Sequence, residues 1–156
     1  MLALLGAMIS LRHGSPVYLA ANEAGTEGSH TGPVTYTAAA ALVRNRLVQF
    51  AVPADAHDRT VEYADGTGTV IGVTLGNSDA GQPIAVHIFG ATPGTAVIET
   101  TGAIARLDKI SPAADGKGIV AGDGSALSAD VVAAALEGND LNDEIECVCN
   151  AGALFD

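Results

Sequence analysis

The sequence predicts an all-β protein, a barrel or sandwich built from two similar tandem β units and preceded by an extended N-terminal arm. Short β-prone runs of small and branched apolar residues alternate with glycine-rich turns, as in strands joined by tight connections. No long stretch has the apolar periodicity of an amphipathic helix. The two halves of the chain also carry similar motifs in a similar order, so one β unit accounts for both.

The internal repeat rests on matched turns and matched apolar positions. Residues 65–70 (DGTGTV) match residues 115–120 (DGKGIV), and each copy follows an Arg-Leu pair, at residues 46–47 and 106–107. Each half then closes on Leu, Asp and Ile at one spacing: Leu75, Asp79 and Ile84, and Leu136, Asp140 and Ile145. We therefore place the repeat at about residues 34–89 and 97–150.

Residues 1–32 are predicted to be an arm and linker, and residues 33–156 the β-barrel domain. The apolar stretch 1–11 is too short to span a bilayer and lacks the basic start of a signal peptide, so we interpret it as an arm that docks on protein. A signal-peptide remnant is the alternative. Residues 21–32 are polar and glycine-rich, as expected of a linker.

The predicted strands of the first unit are residues 34–37, 42–52, 60–63, 69–75 and 83–88. The dipeptide Asp65-Gly66 between β-prone runs indicates a hairpin. Pro83 begins its strand, a position where the missing N–H is tolerated.

The predicted strands of the second unit are residues 96–100, a short strand within 102–110, then 117–121, 131–136 and 143–150. Residues 128–135 also fit a short capped helix, but a strand is preferred because Leu136 aligns with Leu75. Strict alternation in the last strand places Ile145, Cys147 and Cys149 on one face.

The charge of the chain narrows the classes of partner. The net charge is -11, with 18 acidic and only 7 basic residues. Nucleic acid and anionic membranes both require clustered cations, so neither is expected as a partner. The acidic balance favours solubility or docking on a basic protein surface.

Residues that could carry chemistry are present but scattered. His13, His30, His57 and His87 show no metal-ligand spacing, and Cys147 and Cys149 are interpreted as small buried apolar residues. Residues 139–143 resemble a calcium loop only loosely. No nucleophile elbow or nucleotide-binding glycine motif occurs. The sequence therefore predicts no enzyme, no cofactor and no metal.

Contacts with a partner are expected from the apolar arm and from arginines that anchor carboxylates. The predicted interface residues are Met1, Leu2, Leu4, Leu5, Ile9, Leu11, Arg12, Arg44, Arg46 and Arg59.

Four segments of the second half resemble tailed-phage capsid decoration (cement) proteins of the small β-barrel type. They are TGAIARLDKI at 101–110, PAADGKGI at 112–119, AALE at 134–137 and DEIEC at 143–147. The resemblance covers roughly residues 35–150. It implies a non-enzymatic virion protein, made in the host cytoplasm, that bridges major capsid subunits on the capsid exterior as a homotrimer or another homo-oligomer.

Two other functions remain open at this point. One is a head-fibre base, or a carbohydrate- or receptor-binding β module. The other is an enzyme on a β-barrel whose acidic residues near Asp140 hold a metal.

Overall fold

A computed structural model describes residues 32–51, 59–66, 68–92, 94–126, 131–140 and 143–149. The strands of these residues are β1 (Val34–Ala38), β2 (Leu47–Phe50), β3 (Thr60–Tyr63), β4 (Val70–Thr74), β5 (Pro83–Ile88), β6 (Thr95–Glu99), β7 (Lys109–Pro112), β8 (Gly118–Val120), β9 (Ala133–Ala135) and β10 (Glu144–Cys149). The one helical segment among them is a 3-10 turn, Ala114–Gly116. No helix in these ranges has the length and apolar character needed to cross a membrane.

The first unit, β1 to β5, is a closed barrel with the strand order β1-β3-β2-β4-β5. The barrel closes because β1 pairs with β5 in antiparallel and with β3 in parallel orientation. Its interior is filled by Ala38, Leu42, Val48, Val61, Ile84 and Val86. A closed barrel leaves no free sheet edge for unwanted pairing.

The second unit, β6 to β10, repeats the strand order of the first. Its sheet has the order β6-β10-β9-β7-β8. When β6 to β10 are matched in turn with β1 to β5, this order becomes β1-β5-β4-β2-β3, which is the order of the closed barrel followed in the opposite direction. A parallel bridge between Thr100 and Gly118 stands where β1 and β3 pair in the first unit. The predicted all-β fold of two similar tandem units is therefore confirmed.

Matching hydrogen bonds fix which residues of the two units are equivalent. Asn45 N–H donates to the Thr74 carbonyl at 2.8 Å, and Leu107 N–H donates to the Ala135 carbonyl at the same distance. Asn45 and Leu107 also share a positive φ, of 61° and 73°. The bridge from Leu42 to Ser78 recurs as the bridge from Ile104 to Asn139.

A second hydrophobic core lies between the units. It combines inward residues of the second sheet, including Ile98, Ile110 and Ile145, with Leu47 and Val73 from the barrel. Strand β2 is consequently buried on both faces, since its neighbours Leu47 and Val48 point to different cores. Burial of both faces explains the unbroken apolar run at the start of this strand.

Three predictions about the first unit are wrong in detail. The Asp65-Gly66 and Asp115-Gly116 turns are not equivalent, because the first follows β3 whereas the second precedes β8, the counterpart of β3. The Asp65-Gly66 turn makes no hairpin, because β2 lies between β3 and β4. The strand predicted at 42–52 is only Leu47–Phe50, since the left-handed turn at Asn45 interrupts extended backbone.

The matched Arg-Leu pairs also need correction. The hydrogen bonds align Asn45 with Leu107, so Arg106 corresponds to Arg44 and not to Arg46. The matched closing segments are confirmed, because Leu75 and Leu136 make equivalent bonds to the Ala85 and Glu146 carbonyls. The two-residue error in this alignment is not apparent from the sequence because Arg occurs at both 44 and 46.

Most strands of the second unit agree with expectation, but the short strand expected within residues 102–110 is β7, Lys109–Pro112, which extends two residues beyond that range. Residues 133–135 form a strand and not a helix. In β10, Ile145 and Cys147 are buried while Glu144 and Glu146 are exposed, as the alternation predicts. The domain division at residue 32 and the repeat limits stay predictions, and residues 1–31 and 150–156 lie outside the described ranges.

Candidate functional site

The joint between the two units is formed by Asn45, Arg46, Glu99, Gly116 and Lys117. It arises where the left-handed turn before β2 meets the end of β6. The Glu99 N–H donates to the Asn45 carbonyl at 2.7 Å. In the first unit the equivalent N–H, of Thr37, donates within its own barrel to the Arg59 carbonyl at 3.0 Å. One bond that closes the first barrel is thus replaced in the second by a bond between units.

Arg46 is the central cation of the joint. Its guanidinium lies 2.8 Å from the Glu99 carboxylate and donates to the Asp115 carbonyl at 2.9 Å. Its guanidinium carbon lies 6.0 Å from the centre of the Tyr63 ring, at the outer limit of a cation–π contact. The Arg46 side chain is only 12% exposed, so these contacts are better shielded from water than those of an ordinary surface arginine.

Glu99 is shared by two cations. Lys117 Nζ lies 3.0 Å from its other carboxylate oxygen. Burial by itself would raise the pKa of the Glu99 carboxyl, but Lys117 and Arg46 outweigh it and hold that pKa below its ordinary value. The carboxylate is therefore ionised at neutral pH and holds both units together.

Gly116 allows the close approach of the units at this point. Its φ is +68°, in the left-handed region. A Cβ at this position would lie 2.5 Å from the Leu47 carbonyl oxygen and 2.9 Å from the Tyr63 ring. The Asp-Gly turn before β8 therefore serves contact between units.

The structure places the predicted interface arginines at different points. Arg44 is 63% exposed and forms an ion pair of 3.2 Å with Glu144, again from the first unit to the second. Arg59 is exposed beside Tyr36, whose hydroxyl pKa is raised by burial and lowered in part by the Arg59 charge. Arg44 and Arg46 thus anchor carboxylates of their own chain. Their role towards another protein stays a prediction, as does that of Arg59.

The predicted arm contacts cannot be placed. Met1, Leu2, Leu4, Leu5, Ile9, Leu11 and Arg12 lie outside the described residues.

The end of the first barrel near Arg59 carries an aromatic pair that sequence analysis did not single out. Phe50 is 48% exposed and contacts Tyr36 edge to face, with ring centres 5.7 Å apart. The sequence signal that could have drawn attention to these rings is the scarcity of aromatic residues, which make up 4% of the chain. Two of these few rings meet at one end of the barrel.

The described residues contain no group of three or more His, Cys, Asp or Glu side chains that could hold a metal ion. His87 is buried in β5, and burial lowers its pKa. Burial also raises the pKa of Cys147 and of Cys149 to about 12 each, so neither thiol is a nucleophile near neutral pH. His13, His30 and His57 lie outside the described ranges.

The fold is similar to that of a solved phage protein. The structure of the head fiber gp8.5 N base in bacteriophage phi29 aligns with a TM-score of 0.57 and 18% sequence identity, over 76% of this chain and 92% of the phage chain. No protein family and no curated protein matches the sequence. The similarity therefore concerns the fold, and covers almost all of the head-fibre base.

Proposed function

We propose that this protein, with its two tandem β units, is a non-enzymatic structural component of a phage virion that is attached to the outside of the head. The observation that carries the proposal is the shared fold with the phi29 head-fibre base over 92% of that chain. The joint supports it, because two ion-paired arginines and a shared core hold the units in one orientation. A fixed orientation suits a protein that transmits force between attachment points.

Two forms of this role follow from different observations. The fold similarity favours a base that carries a fibre or receptor-binding element on the head. The resemblance of residues 101–147 to decoration proteins favours a cement protein that bridges major capsid subunits as a homotrimer or another homo-oligomer. Both forms need the major capsid protein as partner, and neither needs a cofactor, nucleic acid or a membrane.

Head attachment is tested with heads of the cognate phage assembled without this protein. We expect the purified protein to co-sediment with these heads at a saturable, integral number of copies for each capsomer. A cement protein should also raise the melting temperature of the heads, whereas a fibre base should leave it unchanged. Absence of binding to heads at every maturation stage would reject the proposal.

The apolar arm gives a second prediction about attachment. Deleting residues 1–11 removes the predicted apolar contacts of the arm, and we expect head occupancy or oligomer formation to fall by about tenfold or more, since several apolar anchors are lost. Replacing the same residues by a Gly-Ser segment of equal length is the control for linker length. Wild-type occupancy after the deletion would contradict a role for the arm.

A further inference from the structure

A row of side chains crosses the solvent-facing side of the second sheet, opposite its core. Val97 on β6 pairs with Glu146 on β10, and Leu136 N–H donates to the Glu146 carbonyl at 2.8 Å. Leu107 continues the row through its bond to Ala135, the neighbour of Leu136. We call Val97, Glu146, Leu136 and Leu107 the outer row. Its members come from four separate segments of the chain.

The outer row exposes an unusual amount of apolar surface. Val97, Leu136 and Leu107 are 40%, 37% and 70% exposed, and they are half of the large exposed hydrophobic residues of the described chain. Val148 and Ala134, paired with each other on the same face, are half-buried beside them. Apolar side chains exposed together on one sheet face mark contact sites more often than singly scattered ones do.

Leu107 is held in a conformation that leucine avoids. Its φ is +73°, in the left-handed region, where a branched side chain costs about 1 kcal/mol or more. Glycine or asparagine is the usual choice there, and Asn45 occupies the equivalent turn of the first unit. A strained leucine that stays 70% exposed buries little apolar surface in its own fold, which favours selection for an external contact.

The first unit supplies an internal comparison for the outer row. The equivalent residues are Thr35, Ala85, Leu75 and Asn45, fixed by the pairing of Thr35 with Ala85 and by the bond from Leu75 to Ala85. The same sheet position is thus built without the valine, the carboxylate or the exposed turn leucine. The sheet itself does not require them.

The negative charge in the outer row indicates the kind of partner that this surface binds. Glu146 stands at the centre of the row and accepts a hydrogen bond from the Thr95 hydroxyl, which fixes its carboxylate. Glu137 lies beside it, with its carboxylate bound to the Glu146 N–H at 3.0 Å. None of the ion pairs among the described residues involves either carboxylate. A fixed anion within an apolar patch is complementary to a lysine or arginine surrounded by apolar side chains.

We propose that the outer row is the surface through which this protein docks on the phage head, and that the head offers a basic residue set among apolar side chains. The inference rests on the proposed function, because it names the surface and the partner chemistry for that attachment. The excess of acidic residues in the chain agrees with a basic partner, which also steers the encounter. The partner is the outer surface of the shell protein.

The test compares outer-row variants with a matched variant of the first unit. Leu136→Ser and Leu107→Asn should raise the protein concentration for half-occupancy of protein-free heads by about tenfold or more, as expected of central contact residues. Glu146→Gln keeps the bond from Thr95 while removing the charge, and should weaken binding and reduce its dependence on salt. Leu75→Ser, at 46% exposure in the equivalent position, should bind as wild type does.

Loss of binding by Leu107→Asn cannot be attributed to unfolding, because asparagine tolerates the left-handed turn. The melting temperature of this variant should be unchanged or higher. Wild-type binding by all three outer-row variants, or equal weakening by Leu75→Ser, overturns the inference while leaving head attachment intact. A change in the solution mass of the free variants with unchanged head binding overturns it too, since the row then binds a second copy. Failure of the wild type to bind heads rejects the proposed function itself.

Discussion

Replacing Gly116 by alanine is expected to destabilise the protein by about 3 kcal/mol. The left-handed φ of +68° costs an alanine about 1–2 kcal/mol. The added methyl group would lie 2.5 Å from the Leu47 carbonyl oxygen, which belongs to a strand buried on both faces and cannot move aside cheaply. Overpacking of this kind adds about 1–3 kcal/mol. Urea denaturation followed by circular dichroism measures the change in the free energy of unfolding.

Gly122 is the matched control for this substitution. Its φ of +86° imposes the same conformational penalty, but a Cβ there meets no atom within 4 Å. We expect Gly122→Ala to cost only about 1 kcal/mol. Equal losses for Gly116→Ala and Gly122→Ala would show that backbone conformation accounts for the whole effect, and that the units are not in close contact at Gly116.

Replacing Glu99 by alanine is expected to cost about 2 kcal/mol, the second largest effect. The change leaves Arg46 and Lys117 side by side without the carboxylate that joins them, at distances of 2.8 and 3.0 Å in the native protein. Removing one partner from a shielded ion pair destabilises by more than the pair contributes, because a cation stays partly desolvated. The Arg44–Glu144 pair is the comparison, since its 63% exposed arginine predicts a loss of about 0.5 kcal/mol at most for Glu144→Ala.

The Glu99 contribution also predicts a pH dependence. The pKa of this carboxyl is lower in the folded than in the unfolded chain, where it is about 4.3. Its stabilisation is therefore complete above about pH 5 and disappears as the pH falls through the folded value. The stability difference between wild type and Glu99→Gln should shrink over that acid range. A difference independent of pH from 7 to 3 would contradict the assignment of charge to this joint.

Local turn and strand chemistry made most of the β elements predictable. Pro83 begins β5 as expected, and the alternation of Glu144, Ile145 and Glu146 gives the correct faces of β10. These features depend on neighbouring residues alone. Strand β2 begins at Leu47, later than the sequence predicts, because Asn45 adopts a left-handed turn that shares hydrogen bonds with Thr74 and Glu99, residues distant in sequence.

The internal repeat shows that a recurring dipeptide need not occupy equivalent positions in two similar units. Asp-Gly suits many tight turns, so its two occurrences matched in sequence although they stand on opposite sides of equivalent strands. The closing segments matched correctly because Leu75 and Leu136, with the apolar positions after them, report burial in a sheet over a longer stretch. Patterns that record packing over many residues are the better guide to common ancestry of two units.

Hydrophobic alternation and turn propensity are local properties of the chain, so the all-β class, the tandem plan and the positions of most strands along the chain could be predicted without the structure. The folded chain was needed to reveal that Arg46 holds Glu99 across the joint, and that Val97, Glu146, Leu136 and Leu107 form one row. These residues are far apart in sequence, and strand pairing between distant segments brings them together. Strand order and register are set by long-range packing, which no local pattern records.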